Sequence, residues 1–167
     1  MRTNIFFAKS GENLYCPHCA ARLKHRDWKR RVRKKEGGFK DFIQVERLKC
    51  PRCQRLHTAL PDFLAPYKHY ETEVISGVLD GVVTEDDLDD ESYPRADTMR
   101  RWKRWLMVNR LLIDGRLKSD AYGKLGFSEA LLLSDASLLD KLRAFCQDWL
   151  EIILRFIYNL GGSLVPV

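Results

Sequence analysis

Cys16-Pro17-His18-Cys19 and Cys50-Pro51-Arg52-Cys53 are the residues of this 167-residue chain whose types and spacing most plainly allow chemistry. A C-x-x-C pair bends the backbone into a knuckle that offers two sulfurs to one ion, and four thiolates suit the tetrahedral preference of zinc. Thirty residues (20–49) separate the pairs. The compact four-cysteine pattern has about 15–20 there, and an intervening β-hairpin would take up the excess. The expectation is one structural Zn2+ ion held by Cys16, Cys19, Cys50 and Cys53. The rival is redox chemistry at the first pair, which in a thioredoxin-like site accompanies a βαβ unit. No such unit is legible, and the redox reading gives the second pair no role. His18 and His57 read as solvent or packing histidines. Cys146 reads as a small buried hydrophobe rather than a ligand.

A structural zinc site needs no neighbouring charge, yet residues 20–35 contain nine Lys or Arg in sixteen positions. The asymmetry continues along the chain. Residues 1–60 carry 16 Lys or Arg against 5 Asp or Glu, residues 61–93 carry 1 against 10, and residues 94–124 carry 9 against 3. Two basic blocks flanking an acidic one favour a polyanionic partner. In the first block Lys29, Arg30, Arg31, Arg33, Lys34 and Lys35 would lie on the zinc-held hairpin. Trp28 could stack on a base or simply pack inward. In the second block Arg95, Thr98, Arg100, Arg101 and Arg104 are the side-chain types that meet phosphates and base edges. The competing reading of both blocks is an ordinary solvated face. The acidic stretch 85–91 must face away from phosphate, or act as an internal mimic that restrains non-specific binding.

The elements that would position these residues follow from pattern. Ile43 and Val45 alternate with Gln44 and Glu46, as in a half-buried strand. Gly37-Gly38 marks a turn before it, and residues 23–35 supply the partner strand. Residues 60–66 read as an extended connector, because prolines at 61 and 66 disfavour a helix through it. Tyr67, Tyr70, Val74, Ile75 and Val78 have helical spacing, with Gly81 as a stop. Thr84 with Asp87 could cap the acidic element. A basic helix starts at Ser92-Tyr93-Pro94 and runs to about Leu112, with Met99, Trp102 and Leu106 on one face and Trp105 at its edge. Helix, acidic element and basic helix together resemble a helix-turn-helix. After a Gly- and Ser-bearing stretch (115–128), a last helix spans about Leu138–Leu160. It is apolar apart from a narrow polar stripe through Glu151, Arg155 and Asn159, so it belongs to a core or to an interface with a second copy.

His57, Leu60-Pro61-Asp62, Pro66-Tyr67-Lys68-His69-Tyr70 and the run Thr98 to Trp105 resemble an uncharacterised bacterial family. In that family a four-cysteine zinc ribbon precedes these motifs. The resemblance covers about residues 14–106 and extends to the N-terminal part of insertion-sequence transposases. It implies a DNA-binding module linked to mobile elements. One departure is Ala20-Ala21, where a glycine often follows the first knuckle.

The fold expected is α+β, with a zinc ribbon at 1–60, a connector at 61–66, a helix-turn-helix-like unit at 67–113 and a C-terminal helical region at 114–167. The function expected is that of a non-enzymatic, zinc-containing protein that binds double-stranded DNA, a regulator or accessory factor of a mobile element. There is no nucleophile elbow, P-loop or H-E-x-x-H motif, and the acids cluster in one run. RNA binding and a protein–protein adaptor using the ribbon and the apolar last helix remain the alternatives, and a homodimer through that helix stays open. The N-terminal apolar run is too short for a signal peptide, and Glu151, Arg155 and Asn159 interrupt the most apolar segment. The expected setting is the bacterial cytoplasm, away from any membrane.

Overall fold

The computed structural model describes residues 5–8, 14–87, 94–120 and 136–166. The four strands are β1 (Ile5–Ala8), β2 (Lys24–Lys34), β3 (Lys40–Lys49) and β4 (Leu56–Ala59). β2 and β3 form the long hairpin expected between the cysteine pairs, running antiparallel from Lys24↔Lys49 to Lys34↔Lys40. Gly37 and Gly38 turn it with φ of 69° and 72°, a left-handed conformation open to residues without a Cβ. β3 is central. β2 lines one edge, and the other edge is shared by β4, antiparallel to Glu46–Lys49, and β1, parallel to Phe42–Val45. Four residues gave β1 too short a pattern to be read as a strand.

Ile43 and Val45 are buried against Leu60, Phe63 and Leu64 of the connector. Glu46, on the other face, is buried as well. His25 Nδ1 lies 2.9 Å from its carboxylate, which gives the buried charge a partner.

The helices are α1 (Thr72–Leu79), α2 (Ala96–Asp120), α3 (Leu138–Phe145) and α4 (Trp149–Asn159). The three helices expected from the sequence each differ from it for identifiable reasons. α1 starts five residues after Tyr67, because the backbone ahead of it is strapped to the sheet. Arg31 donates to the carbonyls of Ala65 (2.8 Å) and Lys68 (2.6 Å), and the Glu71 N–H donates to the Lys34 carbonyl (2.9 Å). α2 runs beyond Leu112 and through Gly115. Burial of Ile113 and Leu117 offsets the roughly 1 kcal/mol that a helical glycine costs. The single long helix expected over 138–160 is broken at Cys146, whose backbone is extended. Asp80 accepts from Arg143 (2.6 Å) on one side of the break and from the Trp149 indole N–H (2.8 Å) on the other. Six residues of straight helix would put those two side chains about 120° apart around the axis and about 9 Å apart along it, so the break lets both reach one carboxylate.

Residues 80–95 separate α1 from α2. This is far longer than the three- or four-residue turn of a helix-turn-helix, and the pair is two packed helices with a long connection. Part of that connection is a 3-10 turn at Glu85–Asp87, closed by Asp87, which accepts from the Thr84 N–H (2.6 Å) and hydroxyl (2.9 Å) as the sequence suggested. The acidic run beyond Asp87, the helix start at Ser92-Tyr93 and residues 121–128 of the Gly- and Ser-bearing stretch lie outside the described residues.

One core unites the helices. Met99, Trp102 and Trp105 of α2 pack with Ile75 and Val78 of α1, and with Leu138 of α3 and Trp149, Ile153 and Ile157 of α4. The apolar side of α4 is therefore core within this chain. Among the described residues no helix is long and apolar enough to cross a membrane.

Candidate metal centre and basic surfaces

The first knuckle is a small hairpin of its own, with the Leu23 N–H donating to the Leu14 carbonyl (2.9 Å). The second is the β3–β4 turn. Their backbones repeat each other. The Ala20 N–H closes on the Cys16 carbonyl (2.8 Å) as the Gln54 N–H closes on that of Cys50 (3.0 Å). The Cys16 and Cys50 N–H groups donate to Ala21 and Arg55 (both 2.9 Å). Ala20 and Gln54 both have positive φ, 56° and 60°, so both knuckles make the same turn without a glycine.

All four cysteines are free thiols. Cys16 Sγ lies 3.6 Å from Cys53 Sγ, Cys19 Sγ lies 3.4 Å from Cys50 Sγ, and all four sulfurs fall within 4.8 Å of one another. A tetrahedral zinc with Zn–S bonds of about 2.3 Å sets its sulfurs about 3.8 Å apart, so the quartet fits the ion. Zinc bound there would tie the first knuckle to the β3–β4 turn and supply no reaction. The Cys53 N–H, 3.4 Å from Cys50 Sγ, is the main influence drawing the Cys50 thiol down to about 6, toward the thiolate that a metal requires.

Side chains of the second knuckle and of β4 reach across to the first. Arg55 donates to His18 Nε2 (2.8 Å), and Arg52 to the Cys19 carbonyl (3.5 Å). His57 Nε2 sits 3.5 Å from Cys16 Sγ. Desolvation first, then the charges of His18 and Arg55, lower the His57 pKa. The neutral ring can place its one N–H on the Cys16 sulfur, supporting the centre from outside the ligand set. Sequence reasoning left His57 as a bystander. Its place beside Cys16 depends on the register Leu48↔His57 between β3 and β4. Cys146 lies apart, packed at the helical core.

The first basic block divides in two. Lys29 and Arg30 are exposed on β2, with the Arg30 guanidinium 3.7 Å from the Phe42 ring centroid. The remaining candidates on the hairpin are engaged within the fold. Arg31 grips the connector carbonyls. Arg33 bonds both oxygens of Asp41 and lies 3.6 Å from Glu71. Lys34 donates to the Tyr70 hydroxyl (3.3 Å), and Lys35 pairs with Asp41 (3.4 Å).

The second block lies on and just ahead of α2. Arg95 is exposed and Thr98 half-buried. Arg100 is exposed but bridged to Asp97 (2.5 Å) and Glu85 (3.1 Å). Arg101, Lys103 and Arg104 are exposed, and among the described residues they form no ion pair. Met99, Trp102 and Trp105 hold the opposite side of the helix in the core, as expected.

A family model matches residues 16–102, from the first cysteine ligand into α2 and over half of the chain. The chain belongs to that family, Domain of unknown function (DUF6431). The DUF6431 match takes in both knuckles, the connector and the first turns of α2, which build the metal centre and carry the second basic block as far as Arg101. No curated protein and no solved structure matches the chain.

Proposed function

We propose that this DUF6431 protein is a non-enzymatic DNA-binding protein in which a zinc-clamped ribbon braces a basic helix. The observation that carries the reading is α2 itself. Its buried side is fixed by two tryptophans, and its outer side leaves Arg101, Lys103 and Arg104 exposed without carboxylate partners among the described residues. Such cations are available to release counterions from a duplex. Lys29 and Arg30 add a second basic spot on β2. The absence of a short turn argues for a basic helix braced by its neighbours rather than a helix-turn-helix. Carboxylates support the non-enzymatic part. Asp27, Asp41, Asp62, Asp80 and Asp140 are each paired with an arginine. Among the described residues the converging group of metal-ligating side chains is the cysteine quartet. The role as a bacterial regulator or accessory factor of a mobile element rests on the motif resemblance.

A protein adaptor is the second reading. Met107 and Leu111 are 70% and 85% exposed on the same outer side of α2, one turn beyond the cations. They replace the last helix as the apolar surface open to a partner.

The test is binding of the zinc-loaded chain to a random duplex pool across a salt series. Five to eight phosphate contacts predict a log K against log salt slope of roughly −4 to −7, at about −0.9 per phosphate. Displacement by single-stranded RNA at lower concentration than by duplex would move the reading to RNA. No binding at low salt would leave the adaptor.

A further inference from the structure

Lys68 belongs to neither basic run, yet its setting is unusual. It follows Tyr67, whose φ of 61° is uncommon for a bulky side chain. The backbone here is held firmly, since Arg31 grips the Lys68 carbonyl at 2.6 Å. The Lys68 ammonium lies 4.4 Å from the centroid of the Trp105 ring. Arg101 stands one helical turn before Trp105, at the margin where the outer side of α2 meets the buried one. Burial first, then the charge of Arg101, lower the Lys68 pKa. Asp97, one turn further back, is bonded to Arg100 instead. Several other half-buried cations have acceptors among the described residues. Arg33 has Asp41 and Glu71, Arg143 has Asp80, and Arg31 has two carbonyls. Among the described residues Lys68 and Arg101 have no such partner. A desolvated ammonium beside a second cation is an unfavourable pairing that an anion between them relieves.

The geometry points to a phosphate subsite between Lys68 and Arg101, which takes one backbone phosphodiester of a DNA duplex. It rests on the duplex-binding reading and extends it from α2 to the connector. Trp105 holds the ammonium from below by cation–π attraction. The gripped turn presets the lysine, so little ordering is required on binding.

The experiment uses zinc-loaded full-length chain, a salt series, and two duplexes of unrelated sequence. Lys68→Met keeps an apolar stem over Trp105 and removes the charge. Arg101→Gln changes an exposed residue, so the fold is retained even if Lys68→Met should disturb it. Thermal unfolding is followed in parallel. Each substitution is expected to make the slope shallower by about 0.9 and to weaken both duplexes by the same factor. If the unaltered chain binds duplex and both variants keep its slope, the subsite is wrong and the duplex reading stands. If the unaltered chain binds no duplex, the reading fails and the subsite with it.

Discussion

Ala20 shows what a single residue carries in this protein. It holds a left-handed backbone (φ 56°) that costs an alanine about 1–2 kcal/mol, and the knuckle keeps its closing hydrogen bonds regardless. The quartet was legible because a C-x-x-C knuckle is local: spacing alone delivers two sulfurs. His57 was not, because its contact with Cys16 is made by strand pairing 41 residues away in sequence. The chain is predicted to carry one zinc per molecule by metal analysis. Cys50→Ser removes a fully buried sulfur and should abolish stoichiometric zinc. It should also unfold the ribbon, since metal binding to such a site is folding free energy. Circular dichroism with metal analysis reads both effects, and full retention of zinc would remove Cys50 from the ligand set.

At the scale of elements, the long β2–β3 hairpin was readable, and the short strands β1 and β4 and the helix limits were not. Alternation in β3 and the glycine pair before it are local signals. The break at Cys146 has no proline or glycine to announce it. It follows from Asp80, at the end of α1, gathering Arg143 and Trp149 from two later helices. In the same way Arg31 on β2 delays the start of α1. Asp80→Ala removes one acceptor shared by a guanidinium and an indole, and should destabilise the chain by about 2–3 kcal/mol. Asp80→Asn keeps an accepting oxygen and should cost less. Thermal unfolding separates the two, and equal stability of Asp80→Ala and the unaltered chain would mean that the break has another cause.

Across the whole molecule, charge counts located two basic blocks but not their employment. Most of the later half of β2 is used to strap the connector and to pair with Asp41 and Glu71, positions that only the folded chain brings together. Of the candidate contacts, those left exposed and without an ion pair among the described residues are Lys29 and Arg30 on the sheet and Arg95, Arg101 and Arg104 on or just ahead of α2, with Lys103 beside them. The central claim is that this α2 surface meets phosphate. Its most direct test is duplex binding across a salt series by the triple variant Arg101→Gln, Lys103→Gln, Arg104→Gln, with zinc content and unfolding midpoint measured alongside. A slope shallower by about 2.7, three contacts at about 0.9 each, with the fold and the metal retained, is the predicted result. An unchanged slope in a folded, zinc-loaded variant would contradict the account.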